Sequence, residues 1–345
     1  MRDIHDQWVK QYPTDFSSMS GELPSIPDLE QPIRIHHGPS IDDRYLFLRG
    51  LGHGQEGSTA VYVDVHTGDE VVVKFFENRA RNPIPRAIAH HFQTMTRTWP
   101  TEVEAGLLFG SSKNESPFVP VHEYFILQDV QSWSWALVTP LIGAGTLLNL
   151  AKQERRHGGK SIDELDLEYR PSLLKMLRGL ESLHSADLCH DDVKPDNIFV
   201  ESNTQWLLGD LGNVRETGHA WHKTASWTRQ NKWKDCQMND VRRAIKSYLW
   251  FLRSAMMNAE GFDREFWVAE KSWSRLYWDY VRYPTSIGHL IDGVHSNATA
   301  TIGARPVLDD AFSSPAELSR DTERELLCTS IPRRLWRRWW RFPRG

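Results

Sequence analysis

The amino-acid sequence predicts an α+β chain made of two unequal lobes, a smaller and mostly β part ending near residue 142 and a larger, mostly α part after it. Two observations carry this. Short β-branched and aromatic runs separated by glycine-bearing turns fill residues 45–138, the pattern of strands. Beyond them, apolar residues fall at helical spacing, most clearly Leu173, Leu174, Leu177, Leu180 and Leu183 on one face.

Residues 1–44 are rich in Pro, Ser, Asp and Gln without periodicity and read as a partly disordered extension. Residues 45–142 form the small lobe, with strands near 45–51, 59–65 and 71–76 and a hairpin turn at His66-Thr67-Gly68-Asp69. A helix follows at 100–109. Proline fits only the first turn of a helix, so Pro100 predicts a short or kinked one. Strands near 119–128 and 133–138 complete this lobe. Residues 143–330 form the large lobe, with a long helix near 165–185, a second beginning near Asp240 and a third expected over 263–280. The tail, residues 331–345, places Leu335, Trp336, Trp339 and Trp340 on one helical face and Arg333, Arg334, Arg337, Arg338 and Arg341 on the other. That face either docks on the large lobe or makes peripheral contact with an anionic membrane.

A chain of 345 residues can bury a substantial core, and its 25% charged and 40% hydrophobic composition is that of an ordinary globular protein. The net charge of −4 argues against nucleic-acid binding over the whole surface. The N-terminus lacks the apolar core of a signal peptide, and no run is long enough to span a bilayer, so a cytoplasmic or nuclear location is expected. Cys189, Cys236 and Cys328 are odd in number and far apart, a spacing that supports neither a disulfide framework nor a zinc site.

Chemistry concentrates in residues 189–213. Asp192, Lys194, Asn197 and Asp210 supply two carboxylates, a lysine and an amide. Phosphoryl transfer needs these parts: metal ligands, a cation near the moving phosphoryl group and a base for the hydroxyl proton. Upstream, Gly52, Gly54 and Gly57 have the G-x-G-x-x-G spacing in which backbone amides can approach phosphate. A strand follows that loop where a dinucleotide fold would have a helix.

His190, Asp192, Lys194 and Asn197, followed by Asp210-Leu211-Gly212, resemble the catalytic loop and metal motif of the protein kinase superfamily. The Asp-Leu-Gly-Asn run and reduced large lobe are similar to divergent fungal protein-kinase-like proteins. The resemblance implies a two-lobed protein-kinase-like fold using ATP and Mg2+. It makes Asp192 the base, Lys194 its partner at the transferred phosphoryl, Asn197 and Asp210 the metal ligands and Lys74 the α/β-phosphate contact. Glu102 is its expected ion-pair partner, with Glu104 as the rival register. Thr139 falls at the gatekeeper position, and Leu141 and Ile142 supply the hinge contacts to adenine because Pro140 lacks an amide. Asp240 is implied to brace the catalytic loop.

The chain departs from the family pattern at Asp191, where an arginine is expected, and it lacks Ala-Pro-Glu. The cation that would clamp a phosphorylated activation segment is therefore missing. A protein Ser/Thr kinase is the favoured reading, with a protein or small hydroxyl compound as acceptor. Two alternatives are a small-molecule kinase of the aminoglycoside or choline type and a non-catalytic module.

Overall fold

A computed structural model describes residues 33–37, 40–54, 57–76, 100–110, 116–128, 133–230, 235–284, 287, 290 and 315–327. The small lobe is a seven-stranded sheet closed into a barrel. Its strands are β1 (Ile33–His37), β2 (Ser40–Ile41), β3 (Tyr45–His53), β4 (Gly57–Asp64), β5 (Glu70–Phe76), β6 (Glu123–Gln128) and β7 (Trp133–Pro140). Strands β3, β4, β5, β7 and β6 pair antiparallel in that order, and β1 closes the ring by pairing parallel to β6, Ile33 opposite Ile126. The lobe's sheet thus begins at Ile33, twelve residues earlier than the strand pattern indicated. Those first strands are too short, and their partner too remote, for local periodicity to show them.

Helix α1 (Thr101–Phe109) is short, as Pro100 required, and Pro100 is its N-cap. Gly106 stands on this helix because a Cβ there would meet Val121 Cγ2 at 2.7 Å. Gly57 is fixed more tightly. Its φ is +150°, and a Cβ would lie 1.7 Å from the carbonyl oxygen of Phe75 across the β4–β5 ladder.

The large lobe contains α2 (Leu147–His157), α3 (Ile162–Ser185), β8 (Leu188–Cys189), β9 (Ile198–Ser202), β10 (Gln205–Leu208), β11 (Arg215–Glu216), α4 (Ala225–Gln230), α5 (Cys236–Ala255), α6 (Glu260–Val268), α7 (Ser272–Arg282) and α8 (Pro315–Leu327). Helix α3 opens with a capping box in which the Ser161 hydroxyl and the Glu164 carboxylate satisfy each other's amides. The single helix expected over 263–280 is two helices, interrupted at Ala269, whose φ of 58° ends α6.

Helix α5 is the lobe's axis, buried along almost all of its length. Tyr248 and Phe251 on α5 pack against Tyr169 of α3 and Trp206 of β10, with ring centroids 5.0–6.5 Å apart. Such a cluster contributes both buried area and favourable edge-to-face geometry. Helix α8 is held onto α5 by Glu325, which accepts from Arg242 at 3.0 Å and from the buried Lys246 at 3.2 Å.

Cys189 and Cys236 are joined in a disulfide, which corrects the expectation drawn from their spacing. They stand 47 residues apart in sequence, but the fold brings their Cα atoms to 6.0 Å. Tertiary placement at the foot of α5, invisible to spacing, decides the pairing. Closing a loop of this length removes conformational freedom from the unfolded chain, worth about 4 kcal/mol in the chain-entropy treatment. The terminal segments 1–32 and 328–345, including the basic aromatic tail, lie outside the described residues.

Replacing Gly57 with alanine forces its strand away from Phe75 and is expected to destabilise the protein by about 2–3 kcal/mol. A urea titration measures the effect, and Gly68→Ala, in an open turn, serves as a control for the loss of a positive-φ glycine alone.

Candidate active site

The catalytic loop begins where β8 ends and is organised by one buried carboxylate. Asp240, in the second turn of α5, accepts the backbone amides of His190 at 2.6 Å and Asp191 at 3.0 Å, with His184 Nε2 at 3.3 Å. Arg243, one turn further on the same helix, donates to the carbonyl of Asp191. Burial alone would raise the pKa of Asp240, but the bond from His184 and the nearby cations outweigh it and hold the carboxyl below its ordinary range. These contacts fix Asp191 in the left-handed region, φ 63°, a conformation otherwise rare outside glycine. The loop then turns back so that the side chains of Asp192, Lys194 and Asn197 converge.

Asp192 Oδ2 accepts from Lys194 Nζ at 2.6 Å and from Asn197 Nδ2 at 3.1 Å, and the same amide nitrogen reaches the Asp192 carbonyl at 2.9 Å. With its nitrogen so engaged, Asn197 has its Oδ1 as the remaining group. Burial acts against the charge on Lys194, but the attraction of Asp192 overrides it and raises the ammonium's pKa.

The small lobe supplies the second cation. Lys74 on β5 is paired with Glu102 of α1 and lies 3.0 Å from Asp210 Oδ1. Glu104 is also buried on α1, but Glu102 is the carboxylate that reaches Lys74. Asp210 sits between β10 and a single 3-10 turn, with φ 56°. Its burial favours the neutral acid, yet the charges of Lys74 and Lys194 hold its pKa below the ordinary value. Of the residues named from sequence, Lys74 and Glu102 of the small lobe thus meet Asp210, Lys194, Asp192 and Asn197 of the large lobe in one charged cluster.

The glycine segment turns back on itself at a bond from the Gly54 amide to the Gly57 carbonyl, 2.8 Å, while Gly52 is in the exposed end of β3. At the hinge, Thr139 pairs with Val72 in the ladder. The Leu141 amide is already committed to the carbonyl of Glu70 at 3.1 Å, which corrects its place among the expected adenine donors. The Ile142 carbonyl likewise accepts from Gly145 at 2.8 Å, leaving the Ile142 amide as the hinge donor without an acceptor among the described residues.

Two residues that local motifs did not single out belong to this site. Asp191 Oδ2 accepts from Arg215 Nη1 at 3.2 Å and lies 2.8 Å from His222 Nε2. Arg215 also binds the backbone and side chain of Asn213, just beyond the metal motif. The polarity of the activation-segment clamp is thus reversed: the acid is on the catalytic loop and the cations are on the segment. The signal that could have revealed them is the misplaced charge of Asp191 itself, which requires a buried cation nearby.

A family model of the protein kinase domain matches residues 45–231, more than half of the chain. The chain belongs to the protein kinase domain family. It is 23% identical over 220 residues to a probable serine/threonine-protein kinase, MRK1 homolog, of Encephalitozoon cuniculi, covering 62% of this chain and 54% of that protein. It is 27% identical over 181 residues to serine/threonine-protein kinase C of Synechocystis, covering 51% and 30%. To the stress-activated protein kinase JNK of Drosophila melanogaster it is 28% identical over 182 residues, covering 52% and 42%. The chain thus spans between about a third and about half of the length of these relatives.

The Asp191–His222 pair makes stability depend on pH. Burial lowers the pKa of His222, but its bond to Asp191 reverses this and raises it above 6.5. A group with a raised folded pKa contributes in full below its unfolded value and loses that contribution as pH rises through the folded one. Between about pH 6 and pH 8 the Tm of the unmodified protein is expected to fall relative to that of His222→Gln, and differential scanning fluorimetry across that range is the check.

Proposed function

We propose that this chain is an ATP-dependent phosphotransferase of the Ser/Thr protein kinase type, which moves the γ-phosphoryl group of Mg-ATP to a hydroxyl on a protein. The observation that carries the reading is Lys194 Nζ on Asp192 Oδ2 at 2.6 Å, a lysine held against the carboxylate two residues before it. Small-molecule kinases share the fold's carboxylates but not this lysine or the glycine loop, and the named relatives are Ser/Thr and stress-activated protein kinases.

The donor set fits the group. Asn197 Oδ1 and the ionised Asp210 are hard oxygen ligands of the kind Mg2+ takes, with no thiol or imidazole among them. When bound, Mg-ATP supplies the phosphoryl group and a metal that offsets charge on its oxygens. The chain's own residues do the rest. Lys74, pinned by Glu102, would contact the α/β-phosphates, and the glycine segment at Gly52, Gly54 and Gly57 would let backbone approach them. Asp192 accepts the acceptor's hydroxyl proton, and Lys194 stabilises the charge that develops on the transferred group. The Ile142 amide would be the hinge group to meet the adenine edge. A cytoplasmic location, and contact of residues 331–345 with anionic lipid, are proposals that rest on the sequence alone.

Because Asp191 is already neutralised by Arg215 and His222, a phosphate on Thr224, Ser226 or Thr228 has no cation reserved for it at this position. Phosphatase treatment is expected to leave ATP turnover unchanged, and loss of turnover traced to one of these residues would refute the idea.

Saturating Mg-ATP at a hundredfold excess over Kd is expected to stabilise the fold by about 2.7 kcal/mol, a rise of several degrees in Tm. Asp210→Ala should remove the magnesium-dependent part of that rise. Asp192→Asn should keep nucleotide binding but lower turnover about 10²–10⁴-fold. An assay of ADP release with a panel of protein and small-molecule acceptors tests the reading, and equal turnover by Asp192→Asn and the unmodified protein overturns it.

A further inference from the structure

The Cys189–Cys236 disulfide closes around residues 190–235, which contain the catalytic loop, the metal motif and the activation segment. It is buried, and it packs with Trp227 of α4 and against Trp221, both from the activation segment. We propose that this pair is a reversible thiol–disulfide site whose oxidised form holds the activation segment on the catalytic loop and whose reduction releases it.

The first support is position. The His190 and Asp191 amides on Asp240, and Arg243 on the Asp191 carbonyl, already tie the end of β8 to the first turns of α5. The disulfide ties the same two elements, one residue before His190 and four residues before Asp240. It therefore adds to an attachment the loop already has, and it also reaches the tryptophans that lie on it.

The second support is chemical. Both sulfurs and a carboxylate oxygen of Asp191 lie within 4.8 Å of one another. Asp191 Oδ1 is buried without a hydrogen-bond partner among the described residues. Oxidised sulfurs have no proton to give it, whereas a thiol does. A buried acceptor left unsatisfied is costly, so these surroundings favour the dithiol more than a purely structural bridge would.

The third support is the route outward. The other oxygen of Asp191 holds Arg215 and His222, and the His222 ring lies 4.6 Å from that of Trp227. A change at the cysteine pair thus has a short route, through Asp191 and through Trp227, to the contacts that seat the segment.

In the reaction, a thiolate of glutathione or a dithiol attacks one sulfur and forms a mixed disulfide while the other protein sulfur leaves and takes up a proton. A second reductant thiolate then attacks the mixed disulfide and frees the first sulfur as a thiol. Two electrons and two protons pass to the protein, and the reductant departs as its own disulfide. Because Trp227 covers the bond, attack requires the segment to lift.

The test uses the full chain with Cys328→Ser to remove the third thiol. Samples are equilibrated in chelator-treated glutathione buffers from fully oxidised to fully reduced, alkylated, and scored for the linked pair by mass spectrometry. Limited proteolysis within 214–235, circular dichroism and ATP turnover are read on the same samples. The pair should pass from linked to free while the protein stays folded. The reduced form should be cut in that segment at least tenfold faster and turn over ATP several-fold more slowly, and reoxidation should restore both. Cys236→Ala and Cys189→Ala should behave as the reduced form in every buffer, and Trp227→Ala should speed reduction at least tenfold. A pair that stays linked until the protein unfolds, or equal cleavage of the two forms, overturns the proposal. Proteolysis needs no phosphoryl transfer, so failure of the kinase reading would show separately, as absent turnover in both forms with the cleavage difference intact.

Discussion

The site depends on a single buried anion on a rigid helix. Asp240 stands on α5, the most buried helix of the large lobe, and uses its two oxygens to hold successive amides of the catalytic loop. Two peptide groups with fixed N–H directions on one carboxylate leave the loop little rotational freedom. Asp191 is forced into the left-handed region, and Asp192 follows with its side chain toward Lys194 and Asn197. A buried charge is normally a liability, but here His184 and Arg243 offset it. The geometry of the chemical residues is therefore set from below, by the core, before any ligand arrives.

The reversed clamp at Asp191 follows from the same arrangement. An acid anchored on the loop can be neutralised by cations carried on the activation segment, and those cations are encoded side chains that need no modification to acquire their charge. Arg215 and His222 differ in one respect. Arg215 reaches past Asp191 to the backbone and side chain of Asn213, while the His222 imidazole titrates with its pKa raised by Asp191. Seating of the segment thus has a part that varies with pH.

Much of this was legible because phosphoryl-transfer sites draw on short stretches of chain. Asp192, Lys194 and Asn197 lie within six residues, and their convergence is a local turn that the residue order specifies. The lysine and glutamate of the small lobe were readable as candidates, but the choice of Glu102 over Glu104 required the tilt of α1 against β5. The disulfide, the Arg215 and His222 contacts and the strand β1 share one property: each joins segments far apart in sequence by tertiary placement. The break at Ala269 escaped for the opposite reason, since a residue with good helix propensity occupies a left-handed position where glycine is the usual signal. At the hinge, the chain pattern showed which amide proline removes but not that the Glu70 carbonyl takes up the next.

The barrel has a consequence for how the small lobe can be treated as a unit. An open sheet carries two rows of unpaired backbone groups, each a template for another strand. Here the parallel seam between Ile33–Ile35 and Ile126–Gln128 covers the flank of β6, and the two-residue β2 covers Tyr45 and Leu46 at the start of β3. Residue 45, where the family match begins, is twelve residues past the start of that seam. A fragment cut at that point would keep every residue assigned to phosphate binding and yet uncover Ile126–Gln128 of β6 and the first two residues of β3, giving the lobe fresh unpaired backbone with which to join its own copies.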